Sequence, residues 1–277
     1  MMSPETRIVC LHGLLEGPSI WRPLRRRLTR AGIKSVALPL PGHRRDAPKY
    51  DEACAILRTG GLVDYIARRI ADKTGGAPAR IVGHSLGGLL ALLVARDHPA
   101  LVDRVMIVGA PHAGHTGHTG WFDRRLIADI PGFAHTTARV LLGYWLADDL
   151  RFEAWIRPIL ARDEALEYVP HLMRRELQSG CPYAIAEVFC WLRAQKTLES
   201  FSTVVPPVTV MVCADDTVVT PHHQMEIVRI LPNAAAQVVR CGHLPMLTAP
   251  QAFGNAVMLW ATLSPPVGVP VPELACA

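Results

Sequence analysis

No run of eighteen apolar residues occurs anywhere in the 277-residue sequence, so no segment is expected to cross a membrane as a helix. Aromatic residues are sparse, at 6%. They do not interleave with basic ones, and no base-reading motif is present, so nucleic acid is not expected as a partner. Seven cysteines are scattered without a Cys-x-x-Cys pair. An odd, dispersed set suits reduced thiols better than a disulfide framework. The residues ahead of the first apolar run include Pro4 and Glu5 instead of an apolar h-region, so a signal peptide is not expected. These absences together predict a cytoplasmic protein.

What the chain has in quantity is apolar residues, 50% of its composition. That suffices for one sizeable core, or for one core with an inserted lid. Strand-like runs are predicted at 7–11, 35–40, 79–83, 104–109, 207–213 and 236–240, with helical periodicity between them. Trp21, Leu24, Leu28 and Ala31 share one helical face, with Ser19 as the expected N-cap. Leu62, Tyr65, Ile66 and Ile70 form a second face. Phe253, Ala256, Val257 and Trp260 form a third, with Pro250 near the first turn of their helix. Alternating strands and helices with apolar strands predict an α/β protein built on a doubly wound, mostly parallel sheet of about six strands.

The most informative segment is Gly83-His84-Ser85-Leu86-Gly87-Gly88. It lies between a β-branched run and an apolar helical run. A serine with glycines two residues either side suits a sharp strand-to-helix turn that lifts its Oγ clear of the sheet. A hydroxyl is a poor nucleophile near neutral pH, so it needs a base, a group that orients the base, and donors for an oxyanion. Acid candidates Asp215 and Asp216 follow the strand ending at Cys213. The base candidate His243 follows the next strand. Upstream, the first strand runs into His12-Gly13-Leu14, where the Leu14 N–H could converge with the Leu86 N–H on one point.

At these residues the chain resembles the α/β-hydrolase superfamily, in its serine esterase and lipase branch. The resemblance spans roughly residues 7–115 and 205–262. It implies an α/β-hydrolase fold with an inserted helical cap: core 1–111 and 204–263, cap 112–203, tail 264–277. The family's usual N-terminal antiparallel hairpin is not expected. The resemblance makes Ser85 the nucleophile, His243 the base, and Leu14 and Leu86 the oxyanion donors. It favours Asp216 over the competing Asp215 as the acid. His12 and Gly13 would shape the oxyanion loop, and Gly83, His84 and Gly87 the elbow. Two departures are mild: Thr248 stands where Glu is frequent, and Cys213 where Gly is usual. The implied reaction is hydrolysis of a small-molecule carboxylic ester with an apolar acyl group, with no cofactor and no metal. A thioesterase or acyltransferase acting on coenzyme A- or carrier-bound acyl groups is the alternative. A non-enzymatic binder of a hydrophobic ligand is the second.

Residues 112–203 break the alternation. Pro131, Pro158, Pro170 and Pro182 divide the segment into short helices. Val140, Leu141, Tyr144 and Trp145 form one expected buried face, and Ile185, Val188, Phe189 and Leu192 another. Trp121, Trp145, Trp155 and Trp191 would pack the cap on the sheet or line an acyl pocket. The stretch Gly109-Ala110-Pro111-His112-Ala113-Gly114 resembles one found in many bacterial lipases. Its continuation to His115 and His118, with Asp123 nearby, has a spacing that could hold zinc, but a Gly/Thr loop fixes no geometry and a polar hinge is the simpler expectation. His222 and His223 follow Pro221 at a helix start, where solvated capping is expected. Arg22, Arg25, Arg26, Arg27, Arg30, Lys34, Arg44 and Arg45 concentrate positive charge early in the chain. They predict a solvated helix face, with an acidic partner as the other reading.

Overall fold

The computed structural model describes residues 8–114, 134–160 and 169–262. Its six β-runs become β1 (Ile8–Leu11), β2 (Ser35–Leu38), β3 (Ala79–His84), β4 (Val102–Val108), β5 (Val208–Cys213) and β6 (Ala234–Val239). They form one sheet in the order β2-β1-β3-β4-β5-β6. Every neighbouring pair is parallel. Parallel strands need crossovers, and the helical segments supply them. These are α1 (Arg22–Arg30), α2 (Tyr50–Arg58), α3 (Leu62–Thr74), α4 (Leu86–Asp97), then α5 (Ala134–Leu146), α6 (Asp149–Leu160), α7 (Val169–Gln178) and α8 (Pro182–Arg193). After β5 the described residues form α9 (Pro221–Ile230), α10 (Pro245–Thr248) and α11 (Pro250–Thr262).

The period-two alternation of the strands sorts their apolar residues into two layers. Val9, Leu11, Ile81, Ile107 and Val210 pack with α3, α4 and α9. Ile8, Cys10, Val82, Met106 and Met211 pack with α1, α11 and the helices inserted after β4. The central α4 is apolar on nearly all sides: Leu89, Leu90, Leu92, Leu93 and Val94 are all buried. Each such side chain contributes about 1.5–3 kcal/mol over its exposed state. That anchors the residue at the helix start, which is Ser85.

Four described helices, α5 to α8, lie between β4 and β5. Their stem is a two-stranded neck. The Thr197 N–H donates to His112 O (2.9 Å) and the Gly114 N–H to Gln195 O (3.1 Å). Ala113 and Lys196 bridge antiparallel between them. Helix α8 packs on α2, and α5 packs on α8. Arg139 on α5 ties these helices together, donating to Glu187 and Tyr50 and lying over the Tyr50 ring.

Several expectations change. Ser19 is not the N-cap of α1; it sits inside a 3-10 turn (Pro18–Trp21), and its hydroxyl bonds Glu176 of α7. Ala31 is exposed, because the helix ends at Arg30 before the apolar face reaches it. In α5 the buried residues are Ala138, Leu141, Leu142 and Leu146, whereas Val140 and Tyr144 are exposed. The expected face is rotated because α6 and α8 cover its other side. Pro158 does not break α6, which runs on to Leu160, while Pro170 and Pro182 open their helices as N-terminal prolines do. Trp145 stacks on Trp155 with ring centroids 4.9 Å apart, so both pack within the inserted helices. On α1, Arg25 donates to Ser35 O and Arg27 to Gln251 O, while Arg22, Arg26 and Arg30 are exposed. The readings that involve Trp121, Asp123, Pro131, His115, His118 and the 264–277 tail lie outside the described residues.

Candidate active site

The ends of β1, β3, β4 and β5 and the loop after β6 meet at one edge of the sheet, the carboxyl side, where doubly wound folds bind ligands. At the end of β3, Ser85 takes φ +50°, ψ −122°, a conformation L-residues avoid. Holding it there costs about 1–3 kcal/mol, which the surrounding packing must offset. The packing also explains the flanking glycines. A Cβ on Gly83 would lie inside the Gly87 carbonyl, and one on Gly87 inside the Leu11 carbonyl. Ser85 is partly exposed amid buried neighbours. Its N–H donates to Val108 O (2.9 Å), and its carbonyl accepts from the Gly88 and Leu89 amides.

Asp216 and His243 are brought together directly: His243 Nδ1–H donates to Asp216 Oδ2 at 2.8 Å, with both side chains buried. Asp216 is held as an acceptor on its other oxygen, where Oδ1 takes the Val218 (2.8 Å) and Val219 (2.9 Å) amides. Gln224 of α9 donates to Oδ2 at 3.2 Å. Asp215, one residue earlier, is exposed. Burial disfavours the charged form of His243. The charge and hydrogen bond of Asp216, with the charge of Glu16 behind them, outweigh that and raise its pKa above the ordinary 6.5. With Nδ1 committed to Asp216, the Nε2 lone pair of the neutral ring is left for a substrate-side proton.

Ser85 is tied to this pair through its neighbours. The ring of His84 lies 4.7 Å from that of His243, centroid to centroid, and His84 Nε2–H donates to His243 O at 2.6 Å. Gly109 follows Val108 at φ +54°, and a Cβ there would stand 3.1 Å from Asp216 Oδ2 and 3.3 Å from His243 Nδ1. Only a residue without a side chain lets β4 run this close beneath the pair. Among the described residues no hydrogen bond joins the Ser85 hydroxyl to His243. Such contacts are often loose in unliganded hydrolases and tighten with substrate.

The loop after β1 is shaped by three buried polar residues. His12 Nδ1–H donates to Gly13 O (2.8 Å) and its Nε2 accepts from the Leu40 amide (3.1 Å). His43 repeats the pattern, donating to Pro41 O (2.8 Å) and accepting from the Leu15 amide (3.3 Å). Glu16 Oε2 accepts from the Gly13 amide at 2.6 Å. The Gly13 and Leu15 amides are thus engaged, and among the described residues that of Leu14, between them, has no protein acceptor. Leu86 is the first residue of α4, so its N–H is one of the donors a helix start leaves free.

Sequence reasoning missed Glu16, His43 and Gln224. A lone carboxylate between Leu15 and Gly17 in an apolar loop was the one available signal; His43 and Gln224 offered none. It also misjudged His223, which is buried, with Nε2 accepting the His112 amide at 3.0 Å and its ring stacked 3.6 Å from that of His112. The cap of α9 is Thr220 instead. His222 is exposed, as expected. His112, His223 and Glu226 draw their ligand atoms within 4.8 Å. The set does not suit a cation: with Nε2 of His223 accepting a backbone N–H, its Nδ1 must carry the ring proton, and His112 Nε2 is already bonded to Glu226 (2.9 Å).

The Alpha/beta hydrolase family model matches residues 8–256. The chain is 27% identical over 256 residues to the sn-1-specific diacylglycerol lipase ABHD11 of Mus musculus, covering 90% of this chain and 79% of that protein. An esterase from Exiguobacterium antarcticum superposes with a TM-score of 0.70 at 14% identity, covering 95% of this chain and 94% of the esterase. A hydrolase from Pseudomonas aeruginosa PA01 gives 0.67 at 20%, covering 95% and 92%. With the sheet order, the serine turn at the end of β3 and a family match along nearly the whole described length, the chain belongs to the alpha/beta hydrolase family.

Proposed function

We propose that the protein is a serine carboxylic-ester hydrolase in which Ser85, His243 and Asp216 act as a triad and the Leu14 and Leu86 amides hold the oxyanion. The observation that carries this reading is the buried 2.8 Å His243–Asp216 bond set against the strained turn at Ser85. In the proposed cycle, Ser85 Oγ attacks the ester carbonyl while His243 Nε2 takes its proton, and the carbonyl oxygen becomes an oxyanion facing two amides. The tetrahedral adduct collapses, the C–O bond to the alcohol breaks, and His243 returns the proton to the leaving alkoxide. Water then gives a proton to His243 and attacks the acyl carbon; the second adduct collapses, the Ser85 Oγ–C bond breaks, and His243 returns that proton to Oγ as the carboxylic acid leaves.

The apolar side of the substrate belongs under the helices of residues 112–203, which we read as a cap because they leave the sheet at the end of β4. Six described cysteines are free, which agrees with a reducing, cytoplasmic setting. Thioesters remain a second substrate class, favoured by the exposed row Arg22, Arg26 and Arg30, which suits an acidic carrier. A panel of p-nitrophenyl esters and acyl-thioesters of graded chain length, run beside Ser85→Ala, tests both. Turnover of esters lost in Ser85→Ala, with fluorophosphonate labelling at Ser85, supports the reading. A wild-type protein that neither turns over nor labels is a ligand-binding member of the fold instead.

A further inference from the structure

Glu16 and His84 form a second buried carboxylate–histidine pair beneath the first. Glu16 is 3% exposed and His84 fully buried. The pair sits between two parts of the proposed machinery. At one end Glu16 Oε2 accepts the Gly13 amide, next to Leu14 (2.6 Å); at the other His84 Nε2 meets the carbonyl of His243 (2.6 Å). Between them His84 Nδ1 lies 2.8 Å from Glu16 Oε1, at ion-pair distance though off the ring N–H axis.

The chemistry at each end restricts the protons. A carbonyl has only lone pairs, so His84 Nε2 must carry a hydrogen and donate it. Nδ1 has no hydrogen-bond partner among the described residues and meets Glu16 Oε1 only as a close electrostatic contact. Among the described residues no Lys or Arg pairs with Glu16; His84 and the Gly13 amide are what hold it. A buried acid with this little compensation is costly to keep unless it is used.

We infer that Glu16 and His84 are positioning residues for the hydrolytic reaction, locking the loop that carries the Leu14 amide to the backbone of His243 and placing a carboxylate behind the general base. This rests on the triad reading above. The ionisable groups around the His243 ring are Asp216 from the loop after β5, His84 from the end of β3, and Glu16 from the loop after β1. His12 and His43 stand behind Glu16. Of these, Asp216 and Glu16 both raise the basicity of His243.

Two variants separate position from charge. Glu16→Ala removes the hydrogen bond to Gly13, the contact with His84 and the charge. Glu16→Gln keeps the volume, can still accept from Gly13 and donate to His84 Nδ1, and removes only the charge. Two quantities are measured: kcat and KM on the best ester, and the titration of the His243 ring nitrogens by NMR. Glu16→Ala should lower kcat by about tenfold or more with KM within about twofold. Glu16→Gln should recover part of kcat while the His243 midpoint drops by about half a pH unit or more. If Glu16→Ala does not fold, by circular dichroism, Glu16→Gln carries the test through the titration. Unchanged kcat and an unchanged His243 midpoint in folded variants overturn the inference. Full ester turnover by Ser85→Ala would instead remove the triad reading, while the NMR arm still decides whether Glu16 acts on His243.

Discussion

His243 and the His12–His43 pair lie at the same edge of the sheet, all three buried, and they titrate in opposite directions. His243 spends one ring nitrogen on a carboxylate, and its pKa rises above 6.5. His12 spends both nitrogens on backbone groups. Burial, then the neighbouring His43, push its pKa well below that value. His43 is likewise lowered by burial, to about 4. Desolvation acts on all three rings; the partner decides the sign. A histidine bonded to a carbonyl and an amide is a neutral brace, whereas His243, with Nδ1 on a buried carboxylate, keeps its other nitrogen open. Counting histidines therefore says little about a site, whereas tracing both ring nitrogens says most of it.

The comparison breaks most visibly at the proposed nucleophile. Ser85→Ala should cut kcat by about a thousandfold or more with the fold retained, measured on the ester panel with circular dichroism as the control. Asp216→Asn should cost less, on the order of a hundredfold or more, because the imidazole stays in place but loses its partner charge. Its companion, Asp215→Asn, should leave kcat within about twofold, since that side chain is exposed; a larger loss there would exchange the two roles.

The pH dependence sharpens the contrast. As the proposed base, His243 must be unprotonated, so kcat/KM should fall on acidification through a midpoint above 6.5. A profile flat between pH 5 and 8 would remove His243 from the mechanism. Stability should move separately. His43 is neutral in the fold down to about pH 4 but protonates near 6.5 when unfolded, so its stabilisation is present above 6.5 and lost as pH falls from there towards 4. Chemical denaturation across that window reads it. Smallest is His12→Ala, which leaves the Leu40 amide without its acceptor and should cost about 1–3 kcal/mol of stability.

Much of the core was legible. All six strands fall within two residues of their expected starts, because apolar β-branched runs bounded by turn residues have few other ways to be buried. The elbow could be read because its glycines answer to a local clash. The inserted helices were harder. Val140 and Tyr144 have the periodicity of a buried face, yet α5 turns them outward, since two neighbouring helices and not the sheet choose its buried side. Glu16 was harder to read for a related reason: its one local signal is the apolar loop around it, and its partners Gly13 and His84 are 3 and 68 residues away.

The order of elements, the parallel sheet and the serine turn were decided by the chain itself, since short-range sterics and hydrophobic period act within a few residues. Which aspartate is buried, which histidines are braces, and where a second carboxylate hides were decided only when distant loops closed over one another. Desolvation and hydrogen-bond pairing exist only once those loops meet, and they set charge at this edge of the sheet.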